Sequence, residues 1–175
     1  GDGLEIIFED DHLGEHAGHF PLIRNIKTID SRHHNAQALT GLAPGSFDFV
    51  HCGHILVRLA DPAAALRRWV ELLREDGHLI FTVPDEDLYE QGVFPSTFNS
   101  NHLWTATIYK ARSWSPRTLN LIDLIRDLGT DVELLRKTVK KLGLDMLEEP
   151  AFKPIIIQPL KMQGIDSFGD FAIVL

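Results

Sequence analysis

The stretch from Phe47 to Val83 constrains the fold more than any other part of this chain. It opens on the apolar run Phe47-Asp48-Phe49-Val50 and closes on His78-Leu79-Ile80-Phe81-Thr82-Val83. Between them the sequence predicts a helix from Pro62 to about Asp76. Asp61 can accept hydrogen bonds from the first free amides, and Pro62 suits the first helical position, where its missing N–H costs nothing. Leu66, Trp69, Val70 and Leu73 share one face at helical spacing, and Gly77 is placed to end the helix in the left-handed region. Strand, helix, strand at this spacing is a βαβ unit, which implies parallel pairing and a right-handed crossover.

Other apolar runs extend the pattern. Leu4-Glu5-Ile6-Ile7-Phe8, Ile26-Lys27-Thr28-Ile29, Pro154-Ile155-Ile156-Ile157 and Phe171-Ala172-Ile173-Val174-Leu175 all read as strands. Runs so continuously apolar belong in a sheet covered on both faces. A second helix is expected after Ser115-Pro116, with Leu121, Leu124, Ile125 and Leu128 inward and Gly129 as its stop. Thr130-Asp131-Val132-Glu133 has the form of a capping box and predicts a third, ending at Gly143. From Pro84 to Pro116 no period holds. That excursion follows the carboxyl end of a strand, where open α/β sheets bind their ligands.

Size and charge narrow the function. With 175 residues and no repeat or long linker, residues 1–175 are expected to form a single domain. The net charge of −8 gives no general attraction for a phosphate backbone, so no nucleic-acid partner is expected. No run approaches the roughly 18 apolar residues of a membrane span, and no leader marks the chain for export. One cysteine, Cys52, forbids an internal disulfide and fits a reducing, cytoplasmic setting. Cys52 reads as a small buried residue, because no acylating constellation surrounds it. His12, His16 and His19 recur at helical spacing, but no metal-binding signature accompanies them and no metal is expected.

The run from Phe47 to Gly92 resembles the second half of a class I S-adenosylmethionine-dependent methyltransferase. The family shows an FDxV strand, a short turn of the H-x-L-E-H-L type, a D-P-capped helix, L-x-P-G-G-x-L, and an apolar strand ending in a VPD-like turn. Here the parts are Phe47-Asp48-Phe49-Val50, His54-Ile55-Leu56-Val57-Arg58-Leu59, Asp61-Pro62, Leu73-Arg74-Glu75-Asp76-Gly77 and Val83-Pro84-Asp85. The resemblance spans about residues 26–116. It implies an α/β, Rossmann-like, mostly parallel sheet with helices on both faces. Only a few residues separate Asp30 from Asn35, so the N-terminal half is expected to be shortened by a helix and a strand.

The resemblance also implies site residues. Glu5 in the opening strand, Asp30 ending the second strand, Asn35-Ala36 and His51 fall where the family holds S-adenosylmethionine. His51 and His54 are candidate general bases, since imidazole titrates near neutral pH. Tyr89, Phe94, Asn99, His102 and Trp104 are candidates to line the pocket of a small acceptor. The later string VPDEDLYEQG…FPS…FN…H…W…SWSP resembles a bacterial subgroup of small methyltransferases, some of them encoded with surface-polysaccharide genes. A sugar or polysaccharide precursor is the acceptor that likeness implies. One departure stands out. Ile7-Phe8-Glu9-Asp10-Asp11 occupies the place of the family's glycine-rich loop. That departure, with Val57-Arg58 where Glu-His is usual, supports a rival expectation: a methyltransferase-like domain without catalysis that serves as a binding or interaction module.

Overall fold

The computed structural model describes residues 1–8, 22–108 and 110–129 in full, and the backbone of 132–137 and 152–159. Among the described residues eight strands and two α-helices follow in chain order: β1 (Asp2–Ile7), β2 (Asn25–Asp30), β3 (Phe47–Gly53), a 3₁₀ turn (Leu56–Arg58), α1 (Pro62–Glu71), β4 (Leu73–Pro84), β5 (Thr105–Thr107), β6 (Thr118–Asn120), α2 (Leu121–Arg126), β7 (Val132–Lys137) and β8 (Phe152–Pro159). Six strands make one sheet in the order β2-β1-β3-β4-β8-β7, and β5 and β6 pair in parallel beside it. The first four strands of the large sheet are mutually parallel, whereas β8 runs against both β4 and β7. This is the Rossmann-like α/β architecture expected from the βαβ unit. Residues 31–46, between β2 and β3, contain turns only, so among the described residues β2 is an edge strand and no helix or strand separates it from β3.

Alternation along the strands sorts the core. Leu4 and Ile6 of β1, Val50 and Cys52 of β3, and Leu79, Phe81 and Val83 of β4 join one buried cluster with Ala65, Leu66 and Trp69 of α1 and Leu121 and Ile125 of α2. The other face of the same strands carries Gly3, Glu5, Phe49, His51 and Ile80. Registered pairing sets Glu5 beside His51 and His51 beside Ile80. Gly3 is required there: a Cβ on it would lie 2.0 Å from Cζ of Phe49, so the absent side chain makes room for the ring.

Three local expectations are corrected. The helix that begins at Pro62, with Asp61 accepting from the Ala64 amide at 2.9 Å, ends at Glu71 and not near Asp76. Leu73 already pairs with Phe47 in β4, and Asp76 takes the left-handed conformation (φ 64°) assigned to Gly77. Gly77 serves a different need, because a Cβ there would sit 2.9 Å from the Arg74 carbonyl. The second helix starts at Leu121, since Thr118–Asn120 is drawn out as a strand against β5; Gly129 does end the segment in the left-handed region (φ 100°). The capping-box segment forms no helix over Val132–Lys137. It is strand β7, paired with β8, and that long-range pairing overrides the local signal. Gly143 and the expected strand at 171–175 lie outside the described residues, as do His12, His16 and His19.

Candidate active site at the strand tips

The carboxyl ends of β1, β2, β3 and β4 share one edge of the sheet, and the chain chemistry converges there. Glu5 is fully buried, accepts a hydrogen bond from Thr28 Oγ1 at 3.3 Å, and lies 3.7 Å from His51 Nδ1. That nitrogen is itself buried with no hydrogen-bond partner. His54 follows β3 in the left-handed region (φ 55°), its amide held by the Thr82 carbonyl at 3.1 Å. Burial, helped by the charge of Arg58 and by His102 and His51 nearby, lowers the His54 imidazole to about 4. His54 is therefore neutral near pH 7 and a weak proton acceptor. His51, 3.7 Å from Glu5, is the other imidazole at this edge.

The excursion after β4 delivers a second imidazole–carboxylate pair. His102 Nδ1 lies 2.7 Å from Glu90 Oε1, and both side chains are almost completely buried. The Tyr89 ring stands 5.1 Å from the His102 ring, and Phe98 meets Tyr89 edge-on. Asn99 shapes the turn that positions His102: its carbonyl accepts from the His102 amide and its side chain from the Asn101 amide. Desolvation lowers the His102 imidazole, and Arg58 pushes the same way against the raising effect of Glu90. The excursion is anchored by Glu86, a buried carboxylate that accepts from Lys110, Ser113, Thr118 and Thr105. Desolvation would raise Glu86, but those donors and the Lys110 charge outweigh it and hold it low.

The expected cofactor residues separate into two groups. Glu5 and His51 face each other at the sheet edge. Asp30, at the β2 tip, is gripped by Arg32 through its amide and guanidinium, with Nη2 at 2.6 Å from Oδ2; those hydrogen bonds bring the carboxyl down to about 2. Asn35 caps the following turn, its Oδ1 accepting from the amides of Gln37 and Ala38. Ala36 is buried, and its carbonyl accepts the Trp69 indole N–H at 2.8 Å. Of the acceptor candidates, Tyr89 and His102 come together with Asn99 behind them, and Phe94 is half-buried in the same excursion. Trp104 is partly buried: its N–H donates to the Leu59 carbonyl at 2.9 Å, its ring packs on the core, and Arg117 covers it. Cys52 is fully buried, and burial pushes its thiol up, as an inert core residue requires.

Glu90 was not singled out in the sequence. It does not sit at a spacing that signals chemistry, and its pairing with His102 depends on a turn without periodicity.

A family model for the methyltransferase domain matches residues 3–144. The chain belongs to the methyltransferase-domain family. A ubiquinone biosynthesis O-methyltransferase of Ralstonia nicotianae is 37% identical over 54 residues, which are 31% of this chain and 23% of that relative, so the chain spans under a quarter of its length. Among solved structures, an S-adenosylmethionine-dependent methyltransferase from Clostridium acetobutylicum matches at a TM-score of 0.60 and 12% identity, covering 90% of this chain and 83% of the other. One from Methanosarcina mazei matches at 0.52 and 17%, covering 91% and 92%. At these identities the solved structures establish the fold. No described helix is long and apolar enough to cross a membrane.

The methyltransferase family implies S-adenosylmethionine, and the described residues fit it at the β1 and β3 tips. Among the described residues, a buried imidazole nitrogen without a partner (His51), an adjacent buried carboxylate (Glu5), and Gly53, where an added Cβ would meet nothing within 4 Å, together form a polar edge. At β2 the fit requires Arg32 to release Asp30. Phe8 crowds the other side, packed on the core with the Arg58 guanidinium 3.9 Å above its ring.

Proposed function

We propose that this domain is a methyltransferase that uses S-adenosylmethionine to methylate a small molecule. The observation that carries the reading is the collection of Glu5, His51, His54, Arg58, Glu90 and His102 around the tips of parallel strands. Buried ionisable groups destabilise a fold unless paired, and their concentration at one edge is characteristic of working sites. When bound, S-adenosylmethionine supplies a methyl group already activated on a sulfonium.

The protein's own residues supply position and exclusion of water. Glu5 and His51 would hold the polar end of the cofactor at β1 and β3, and Asp30 the ribose hydroxyls at β2. The excursion from Asp85 to Leu103 would hold the acceptor above β4, Tyr89 and Phe98 offering ring faces. Alignment of acceptor and methyl donor accounts for much of the rate in such a displacement. A cytoplasmic setting agrees with the free thiol of Cys52.

A second reading has its own observation. Phe8 under Arg58 and Asp30 under Arg32 occupy two cofactor positions with internal contacts, as a domain that has given up catalysis and binds a partner would do. Isothermal titration with S-adenosylmethionine and with S-adenosylhomocysteine separates the two. Saturable heat with either, at micromolar to high-micromolar affinity, is the expected result. No heat with either ligand would leave the interaction module as the function.

A further inference from the structure

We propose that Glu90 and His102 form a proton-accepting pair for the hydroxyl of an aromatic acceptor, which makes the reaction an O-methylation. This rests on the methyltransferase reading and names its substrate class.

The geometry has three parts. Glu90 Oε1 at 2.7 Å from Nδ1 fixes the ring with its proton on that nitrogen, so the lone pair of Nε2 points the other way. No hydrogen bond from a described residue reaches Nε2. Glu90 Oε2 is likewise buried without a partner, on a side chain 1% exposed. A buried carboxylate left half-satisfied is costly, and its persistence at a strand-tip excursion indicates a site kept for a ligand. In the same excursion Leu88, Val93, Phe98 and Leu103 remain substantially exposed. Tyr89 and Phe98 add ring surfaces.

The chemistry selects the acceptor. A phenol ionises near pH 10, within a few units of an imidazole, whereas an aliphatic alcohol lies far above it. A neutral imidazole can therefore take a phenolic proton but gives little help to a sugar hydroxyl. In the balanced step, the phenolic O–H bond breaks and its proton goes to Nε2. An oxygen lone pair forms the new C–O bond as the carbon–sulfur bond of the sulfonium breaks, and its electron pair stays on sulfur. The imidazolium is stabilised by Glu90 until it releases the proton to water. Arg58 opposes protonation of His102 and Glu90 favours it; the Tyr89 phenol, its ring 5.1 Å from the His102 ring, and the neutral His54 are the other titratable groups nearby.

The test is a spectral titration of the full chain with 4-nitrophenol, whose phenolate absorbs in the visible, below the pH at which the free phenol ionises. S-adenosylhomocysteine binding is measured in parallel by calorimetry. The wild-type protein should raise a saturable phenolate band, and 4-nitroanisole, which has no proton to give, should raise none. His102→Gln should reduce the band at least tenfold. Glu90→Gln, nearly isosteric, should keep some of it but move its midpoint about one unit to higher pH, because the imidazole loses its anionic partner. A purely structural Glu90 would not move that midpoint. Should His102→Gln fail to fold, the Glu90→Gln midpoint decides alone. Wild-type protein that binds S-adenosylhomocysteine but raises no phenolate band overturns the dyad and leaves the methyltransferase reading standing. Heat absent with a phenolate band present overturns the methyltransferase reading and leaves the proton-accepting site.

Discussion

His54 makes the fold sensitive to mild acid, and the effect can be isolated. Burial and neighbouring positive charge bring its imidazole down from 6.5 to about 4. A group whose folded value is depressed is protonated more readily in the unfolded chain. Stability contributed by the neutral ring is thus complete above pH 6.5 and is lost progressively as pH falls toward 4. A shift of this size corresponds to about 3 kcal/mol over the whole window, taking about 1.4 kcal/mol per unit. Carboxylates contribute little until below about pH 5, where their unfolded forms begin to titrate. The informative variant is His54→Asn. Asparagine tolerates the left-handed backbone that residue 54 adopts (φ 55°), so the substitution removes the titration without straining the chain. Urea unfolding at pH 7.0, 6.0 and 5.0 should show the wild type losing about 1–2 kcal/mol between the first and last condition. His54→Asn should lose less than half of that, the remainder reflecting His102 and His78, which are lowered chiefly by burial. Equal slopes for variant and wild type would refute the account of His54 as a buried neutral ring.

Four further outcomes follow from the packing and the charges. Trp69→Ala, which empties the fully buried site between α1 and the sheet and orphans the Ala36 carbonyl, should cost about 3–5 kcal/mol in denaturant unfolding; Trp69→Phe should cost about 1–2. Gly3→Ala sets a methyl 2.0 Å from the Phe49 ring and should destabilise by about 1–3 kcal/mol, with much of the loss recovered in the double variant Gly3→Ala, Phe49→Leu. Glu86→Gln should loosen the attachment of β5 and β6, seen as at least tenfold faster amide exchange in Thr105–Thr107, with β1 and β3 unaffected. Arg32→Ala frees Asp30 and should tighten S-adenosylhomocysteine binding in calorimetry; weaker binding would mean that Asp30 takes no part in holding the ribose.

How far the sequence disclosed all this depended on the range of the interactions involved. Asp61-Pro62 and the stripe through Leu66 and Trp69 defined α1, because a capped amphipathic helix is specified within its own residues. The four parallel strands were legible from their apolar runs, and the direct passage from β2 to β3 from the brief interval after Asp30. What local pattern could not show was competition with distant partners. Leu73 left the helix to pair with Phe47, Val132–Lys137 abandoned a capping box to pair with β8, and Thr118 was drawn into a strand by β5 and Glu86. The site followed the same rule. Glu5 and His51 could be set side by side because they lie on strands whose register is implied by the fold. Glu90 was not singled out because its partner is twelve residues away across turns. The burial of Ala36 and the packing of Trp104 on the core were not legible, because aromatic and small residues near a cleft pack inward as readily as they line it.

The contest between enzyme and interaction module turns on whether Phe8 and Arg32 block the cofactor or merely compete with it, and magnitudes favour competition. The Arg58–Phe8 stack is a cation–π contact of the sort that contributes about 1–2 kcal/mol when partly desolvated. The Asp30–Arg32 pair links residues two apart at the surface, where ion pairs contribute little. Neither is large beside the roughly 8 kcal/mol of a micromolar ligand. The arginines can yield without disturbing the core cluster of Leu4, Ile6, Val50 and Trp69, which includes neither of them, whereas displacing Phe8 also gives up its packing against that cluster. The Glu90–His102 pair tips the balance further. An interaction module has no need to keep a carboxylate half-satisfied beneath its surface, whereas a site that accepts protons does. On the proposed reading, the contacts at Phe8 and Asp30 would set how tightly the cofactor is held, and the Glu90–His102 pair would supply the chemistry on the acceptor side.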